Sequence, residues 1–366
     1  MALKRRRVKL GATLIVISMF AVVLSIAFTS EYTGYVLGLV VVYAIAVLSL
    51  NLLMGYAGQV SLGQAAFLGI GGFGAGELAR SSVPFPLTII AAALIAALVA
   101  AIVGLPSLRI RGLQVAATTL AFGAVAQYFL FVRTKTKTGG VGIDLTRPKV
   151  IATDKAVLLT GVIGLLVVLI IDRQVRHSRI GRAFYSVRDR EDTAAARGVK
   201  VGPTKLQAYA FSGLYAGIAG AIFAYLLQGA TADSFSVFKS LEFVAAVVIG
   251  GLGSWSGAIV SGSIFAALPQ LLTGIARWVP VIEAGLLTLT PVFRPEGLGF
   301  VLNRGVSIPL PGVGRRTPEV DPREAVDLIR QPKRPLSLSV PTRTLLTAKD
   351  VGVRFGGLVA LHDVNM

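Results

Sequence analysis

The sequence predicts an all-α polytopic membrane protein with about ten transmembrane helices, eight as the fallback, and a short β-hairpin at the C-terminus. Three observations predict it. The 366 residues are 54% apolar with mean hydropathy +0.74, and only 15% are charged, against about 25% in soluble proteins. Apolar runs close to the roughly 20 residues of a bilayer crossing recur along the chain. The net charge of +18 gathers in short loops and at the two ends, where topology and anionic lipid account for it without nucleic acid. With no cysteine present, a disulfide framework and thiolate chemistry or metal sites are excluded. His177 and His362, the two histidines, lie outside the apolar runs, so no buried histidine relay is available.

The spans follow in order. Met1–Lys9 holds KRRRVK, a cytoplasmic flank. Leu10–Phe28 is longer than the apolar core of about 7–15 residues in a cleavable signal peptide, so it reads as the first span, and Tyr35–Met54 as the second. Gly55–Gly76 is a third, Gly-rich membrane segment. Gly69, Gly71 and Gly74 fit G-x-G-x-x-G, but no βαβ pattern surrounds them; small residues that let helices approach are the better reading. Asn51, Gln59, Ser61 and Gln64 are polar at membrane depth and must face protein or a water-filled path. Interhelical hydrogen bonding and lining of a translocation path both fit. Pro86–Leu105, Leu113–Val132, Ala156–Ile171 and Leu206–Leu227 are the fourth to seventh spans, with Gly213, Gly217 and Gly220 as a packing face on the last. Parity puts Arg109 and Arg111 inside. It puts 133–155 outside, although that loop carries six basic residues against two acidic.

Gly229–Ser240 reads as an external piece. Between Leu241 and Phe293, VVIGGLGSWSGAIVSGS interrupts any continuous helix. The chain must still return inside, and three short, broken spans do so, as where transporters build their pathway. Gly250–Gly262 echoes the Gly and Ser spacing of Gly58–Gly69, as an inverted internal repeat would. Glu77, Glu242 and Glu283 are acids in apolar surroundings with no evident partners, save that Arg277 offers Glu283 a structural ion pair.

Asp172–Lys205 is the one long polar loop between spans, with nine Lys/Arg against four Asp/Glu, and should face the cytoplasm. Glu191–Arg197 (EDTAAAR) favours a helix, Gly198 stops it, and Gly202-Pro203 starts the next. The loop is expected to present one short helix. Beyond Arg294, eight of the sixteen prolines fall between Pro295 and Pro341, the composition of an extended linker; only REAVDLIR, Arg323–Arg330, could be helical. In the last 22 residues, Val351, Val353 and Phe355 alternate before Gly356-Gly357, which reads as a β-hairpin.

Asp192-Thr193-Ala194-x-x-x-Gly198 resembles the EAA-x-x-x-G loop of ABC importer permeases. RIGRAFYSVRDREDTAAARGV, LNLLMGYAGQVSLGQAAFLGIGGFGA, LRIRGLQVAATTLAFG, TKTGGVGIDL and FRPEGL resemble the permeases of branched-chain amino-acid ABC importers. Asp192 and Thr193 replace the general motif's Glu and Ala, and no Leu-Pro follows Gly198. The resemblance implies a permease domain at 1–293, in the bacterial plasma membrane with both termini cytoplasmic. It implies a coupling loop of Arg182, Glu191, Asp192, Ala194, Ala195 and Gly198 that docks on an ATPase. Its implied partners are a second, similar permease subunit, ABC ATPase subunits and an extracytoplasmic binding protein. A urea or other small-solute importer of the same family is the nearest alternative, a secondary transporter a more distant one. After the 294–344 linker, 345–366 resembles the first strands of an ABC ATPase, where Phe355 would stack on adenine. No G-x-x-x-x-G-K-[ST] loop is present, so this chain alone is expected to bind no cofactor and not to be an enzyme. ATP and Mg belong to the partner ATPase or to a missing part of the domain. The expectation is that the tail opens a longer permease–ATPase fusion or is cut short.

Overall fold

The computed structural model describes residues 30–110, 112–132 and 142–272, with 278, 281–285, 288, 297–299, 351–355 and 358–364 beyond them. The expected first span, most of the 294–344 linker with REAVDLIR, Arg277 and the Gly356-Gly357 turn lie outside these residues. The chain divides into two units, Met1–Ile308 and Pro309–Met366.

The first unit is a helical bundle. Helix α1 (Glu31–Asn51) runs into a π-helical turn, Leu52–Tyr56. Then come α2 (Gln64–Arg80), α3 (Phe85–Val103), and α4 (Leu113–Val125) with its own π-helical turn, Ala126–Leu130. Helices α5 (Asp154–His177), α6 (Arg179–Asp189), α7 (Glu191–Ala196), α8 (Val201–Leu226), α9 (Val237–Gly250) and α10 (Trp255–Leu271) complete it. Among the described residues, five helices are long and apolar enough to cross a membrane: Glu31–Tyr56, Phe85–Val103, Leu113–Leu130, Asp154–His177 and Val201–Leu226. They match the expected second, fourth, fifth, sixth and seventh spans. The expected third, eighth and ninth fall on α2, α9 and α10, which have 17, 14 and 17 residues.

Helices α1 and α8 form the centre, with 78% and 83% of their apolar windows buried, against 28%, 33% and 28% for α3, α4 and α5. The outer three turn Leu94, Leu98, Val125, Ile163 and Ile170 outward, as lipid-facing helices do. The centre closes through small residues. Gly213 and Gly217 of α8 lie on Ala96 of α3, and a methyl group on Gly220 would overlap the Leu68 carbonyl of α2. Backbones can approach this closely only where no side chain intervenes. Gly69, Gly71 and Gly74 are thus interior to α2.

Strand β1 (Ile143–Asp144) pairs antiparallel with β2 (Gly229–Ala230), so the segments after α4 and α8 meet at one end of the bundle. Arg147 caps α8 there, donating to the Tyr225 and Leu226 carbonyls at 2.8 and 2.6 Å and pairing with Asp154 at 2.6 Å. At the opposite end, Lys205 Nζ donates to the Ser107 carbonyl at 3.0 Å and Arg188 Nη1 to the Gly55 carbonyl at 2.8 Å. The turns after α1 and α3 and the α5–α8 connection therefore share that end, called the loop end below. Gly297 lies against Gly251, and Gly299 against Ser254, so the chain returns after α10 to the level of the 251–254 break.

Four expectations are corrected. Helix α5 continues six residues past Ile171, because Asp172 pairs with Arg176 one turn on at 2.8 Å and Arg176 and His177 suit a helix C-terminus. The polar loop carries two helices, α6 and α7, where one was expected. The next span, expected from Leu241, begins earlier, within Gly229–Ser240. Phe235 packs against Gly69 and Gly72 inside α2, and α9 begins at Val237, its first N–H held by Gln127 Oε1 at 3.2 Å and its N-cap provided by Ser236. The acids also have partners: Glu77 pairs with Arg80 at 3.5 Å and Glu242 with Lys239 at 2.6 Å. In the second unit, β3 (Val351–Phe355) pairs antiparallel with β4 (Leu358–Val364).

Candidate functional site

The α5–α8 connection is built from local signals. Ser178 Oγ accepts from the backbone N–H of Ile180 and Gly181 at 3.1 and 3.3 Å, which starts α6. Gly181, Phe184 and Val187 recur every third residue and are buried, while Arg179, Arg182 and Arg188 stay exposed. Tyr185 on the same helix is half-buried; burial raises its hydroxyl above the ordinary tyrosine range, partly offset by the nearby Arg176. Arg190 is extended and ends α6, and Glu191 and Asp192 fill the first turn of α7, where the helix dipole favours acids.

Helix α7 ends in a Schellman turn. The Gly198 N–H donates to the Ala195 carbonyl at 2.9 Å and the Val199 N–H to the Ala194 carbonyl at 3.0 Å. Gly198 has φ +81 and no atom within 4 Å of where a Cβ would stand. The left-handed backbone alone requires glycine here.

Polar contacts hold this segment to the bundle. Lys205, in the second turn of α8, pairs with Glu191 at 2.7 Å, with side chains 3% and 19% exposed; it also donates to Ser107. Arg188 reaches the Gly55 carbonyl in the π-helical turn and lies 5.3 Å from the Tyr185 ring centroid. A cleft of about 370 Å³ between Gly58, Gln59, Arg188, Glu191 and Thr193 opens on one side of α7. Another of about 220 Å³, lined by Leu108, Ala195 and Gly202, opens on the other.

Of the expected coupling residues, Arg182, Asp192, Ala195 and Gly198 are exposed, Glu191 is partly buried, and Ala194 is buried. Ala194 is therefore small because it packs within this chain. Arg188 and Lys205 were not singled out in the sequence. Neither stands apart in the sequence from the other basic residues of the loop.

The polar residues around the α1–α2 break have different partners. Asn51 Oδ1 accepts from the Gly253 N–H at 2.8 Å, joining the α1–α2 break to the α9–α10 break. Gln59 lines the cleft at the loop end. Ser61 is buried and accepts from Gly63 at 3.4 Å. Gln64 is fully buried and donates to Ser49 Oγ at 2.6 Å and Ser212 Oγ at 3.2 Å, tying α2 to α1 and α8. Phe355 lies in β3, in the second unit.

Residues 32–293 match a family model described as branched-chain amino acid transport system / permease component. The chain is 29% identical over 289 residues to the high-affinity branched-chain amino acid transport system permease protein LivM of Salmonella typhimurium, covering 70% of this chain and 67% of that one. To LivM of Escherichia coli K12 it is 28% identical over 290 residues, covering 71% and 68%. A shorter stretch of 123 residues is 32% identical to the xylose transport system permease protein XylH of Haemophilus influenzae, covering 31% of this chain and 32% of that one. No solved structure matches. The chain belongs to the permease family of branched-chain amino acid ABC transport systems.

Proposed function

We propose that this chain is one of two similar membrane subunits of an ATP-driven importer that carries branched-chain amino acids across the bacterial plasma membrane. The loop end faces the cytoplasm, with both termini on that side, and a binding protein delivers substrate at the β1–β2 end. Helix α7 is the element on which the ATPase pushes, and Arg182, Asp192 and Ala195 form its outer surface. Glu191 and Gly198 set the helix's anchor and its stop, and Ala194 seats it. Asn51, Gln59, Ser61 and Gln64 border the path at the α1–α2 break. ATP and Mg are bound by the partner ATPase. Residues 345–366 are similar to the first strands of an ABC ATPase, where the position of Phe355 would serve adenine.

One observation carries the reading. Helix α7 is exposed on its outer face, yet clamped to the bundle by the Lys205–Glu191 pair and, through Arg188, to the π-helical turn of α1. A push on α7 therefore reaches α8 through Lys205, and the π-helical turn of α1 through α6 and Arg188. The test is uptake of radiolabelled leucine into vesicles holding this chain, its partner permease, the ATPases and the binding protein. Uptake that needs ATP is expected. Uptake indifferent to ATP, or driven by an ion gradient, would overturn the proposal.

A further inference from the structure

Helix α9 does not cross the bundle. Its 14 residues rise about 21 Å at about 1.5 Å each, short of the roughly 30 Å hydrocarbon core. Its N-terminus lies deep. Tyr43, which it meets through Lys239, stands in the middle of the α1 span, twelve residues after Glu31 and thirteen before Tyr56. Ser240 Oγ accepts from the Ala65 N–H at 3.0 Å, so the N-terminus of α2 meets that of α9 at this depth. Two helices thus begin near the middle of the bundle. In transporters such N-termini point their positive dipole ends at anionic substrate groups.

Charged groups stand at the same place. Lys239 Nζ donates to Glu242 Oε2 at 2.6 Å and to the Tyr43 hydroxyl at 2.7 Å, and lies 5.2 Å from the Tyr43 ring centroid. The other carboxylate oxygen, Glu242 Oε1, is buried with no partner. Lys239 and Glu242 thus form a charged pair in the first two turns of α9. Lys239 keeps 29% of its side chain accessible, beside Phe238 and Leu241, which are exposed. A charged pair at this depth is expensive and marks a functional site by default.

We propose that Lys239, Glu242 and Tyr43 form the membrane-embedded recognition site for the zwitterionic head group of an amino acid. Lys239 receives the α-carboxylate through its remaining N–H, and Glu242 receives the α-ammonium. This rests on the amino-acid importer reading above and adds to it the place where the head group is held.

The test is binding of tritiated leucine to the complete permease–ATPase complex in nanodiscs without binding protein, so that only the membrane site is read. Leucinol, which lacks the carboxylate, and 4-methylpentanoate, which lacks the amine, serve as competitors. Removing a charge-assisted hydrogen bond, from either the ligand or the site, weakens affinity by about tenfold or more. Lys239→Gln should weaken leucine and 4-methylpentanoate by at least about tenfold and leave leucinol unchanged. Glu242→Gln should weaken leucine and leucinol and leave 4-methylpentanoate unchanged. Lys239→Arg, run as a control for assembly, should retain leucine binding to within about threefold. Equal weakening of all three ligands, or of none, would overturn the site while ATP-driven leucine uptake by the full system stands. Absence of that uptake in the wild type would remove the amino-acid reading and the site together.

Discussion

Gly198 gives the sharpest mutational prediction, because the structure separates its two possible reasons for being glycine. Its φ is +81, and a Cβ there would meet nothing within 4 Å. Bulk is therefore irrelevant and backbone strain is the whole effect. An ordinary L-residue in the left-handed region costs about 1–2 kcal/mol, a β-branched one is a genuine outlier there, and asparagine is several-fold enriched. The alternative to bearing the strain is to open the Schellman turn, losing the hydrogen bonds from Gly198 and Val199 to the carbonyls of Ala195 and Ala194. One to two kcal/mol shifts the closed-to-open ratio of that turn by about 5–30-fold. Measured as leucine uptake and stimulation of the partner ATPase in reconstituted vesicles, activity should fall in the order glycine, asparagine, alanine, valine. Gly198→Asn should stay close to the wild type and Gly198→Val should lose most coupling, both at normal membrane insertion. If Gly198→Val worked as well as Gly198→Asn, the turn would not matter to coupling.

Further predictions concern neighbouring features. Lys205→Met removes the buried ammonium that pairs with Glu191 and bonds the Ser107 carbonyl and should lower thermal stability in detergent, whereas pairing it with Glu191→Leu should recover most of the loss. Gly220→Val places two methyl groups where the Leu68 carbonyl already stands and should prevent α2 and α8 from closing, read as loss of the monodisperse peak; a folded Gly220→Val variant would refute the packing. Ala195→Arg should fold and insert yet fail to couple, while Ala194→Arg should destabilise the subunit itself, because Ala195 is exposed and Ala194 is buried. Reporter fusions after Leu10 and after Arg315 should both report the cytoplasm, and an external signal from either would overturn the orientation.

The long helices were legible in the sequence because hydropathy alone specifies them. So was the stop at Gly198, since a glycine after an Ala-rich turn has few other uses. The amphipathic α6 was missed because its arginines advertise a solvated loop, while Gly181, Phe184 and Val187 make only three inward positions in eleven residues. The depth of α9 was also hidden. Its N-terminus is held by Gln127, 110 residues away in sequence, and no local pattern announces such a cap. Gln64 has two readings in the sequence, and its bonds to Ser49 and Ser212 tie α2 to α1 and α8 at the break where the path is proposed. Arg188 could not have been singled out, because its partner is a backbone carbonyl freed by a π-helical turn, and such turns leave little trace in composition.

The central claim, that the ATPase bears on α7, can be tested by cross-linking. The chain has no cysteine, so Ala195→Cys introduces a unique thiol on the exposed face of α7, and Val150→Cys, also exposed, introduces one at the opposite end. Both variants would be assembled with the full set of partners and treated with a short thiol-to-amine cross-linker. The account predicts a permease–ATPase adduct from position 195, changing in yield when ATP binds, and none from position 150. An assembly that takes up leucine yet gives no ATPase adduct at position 195 would contradict it.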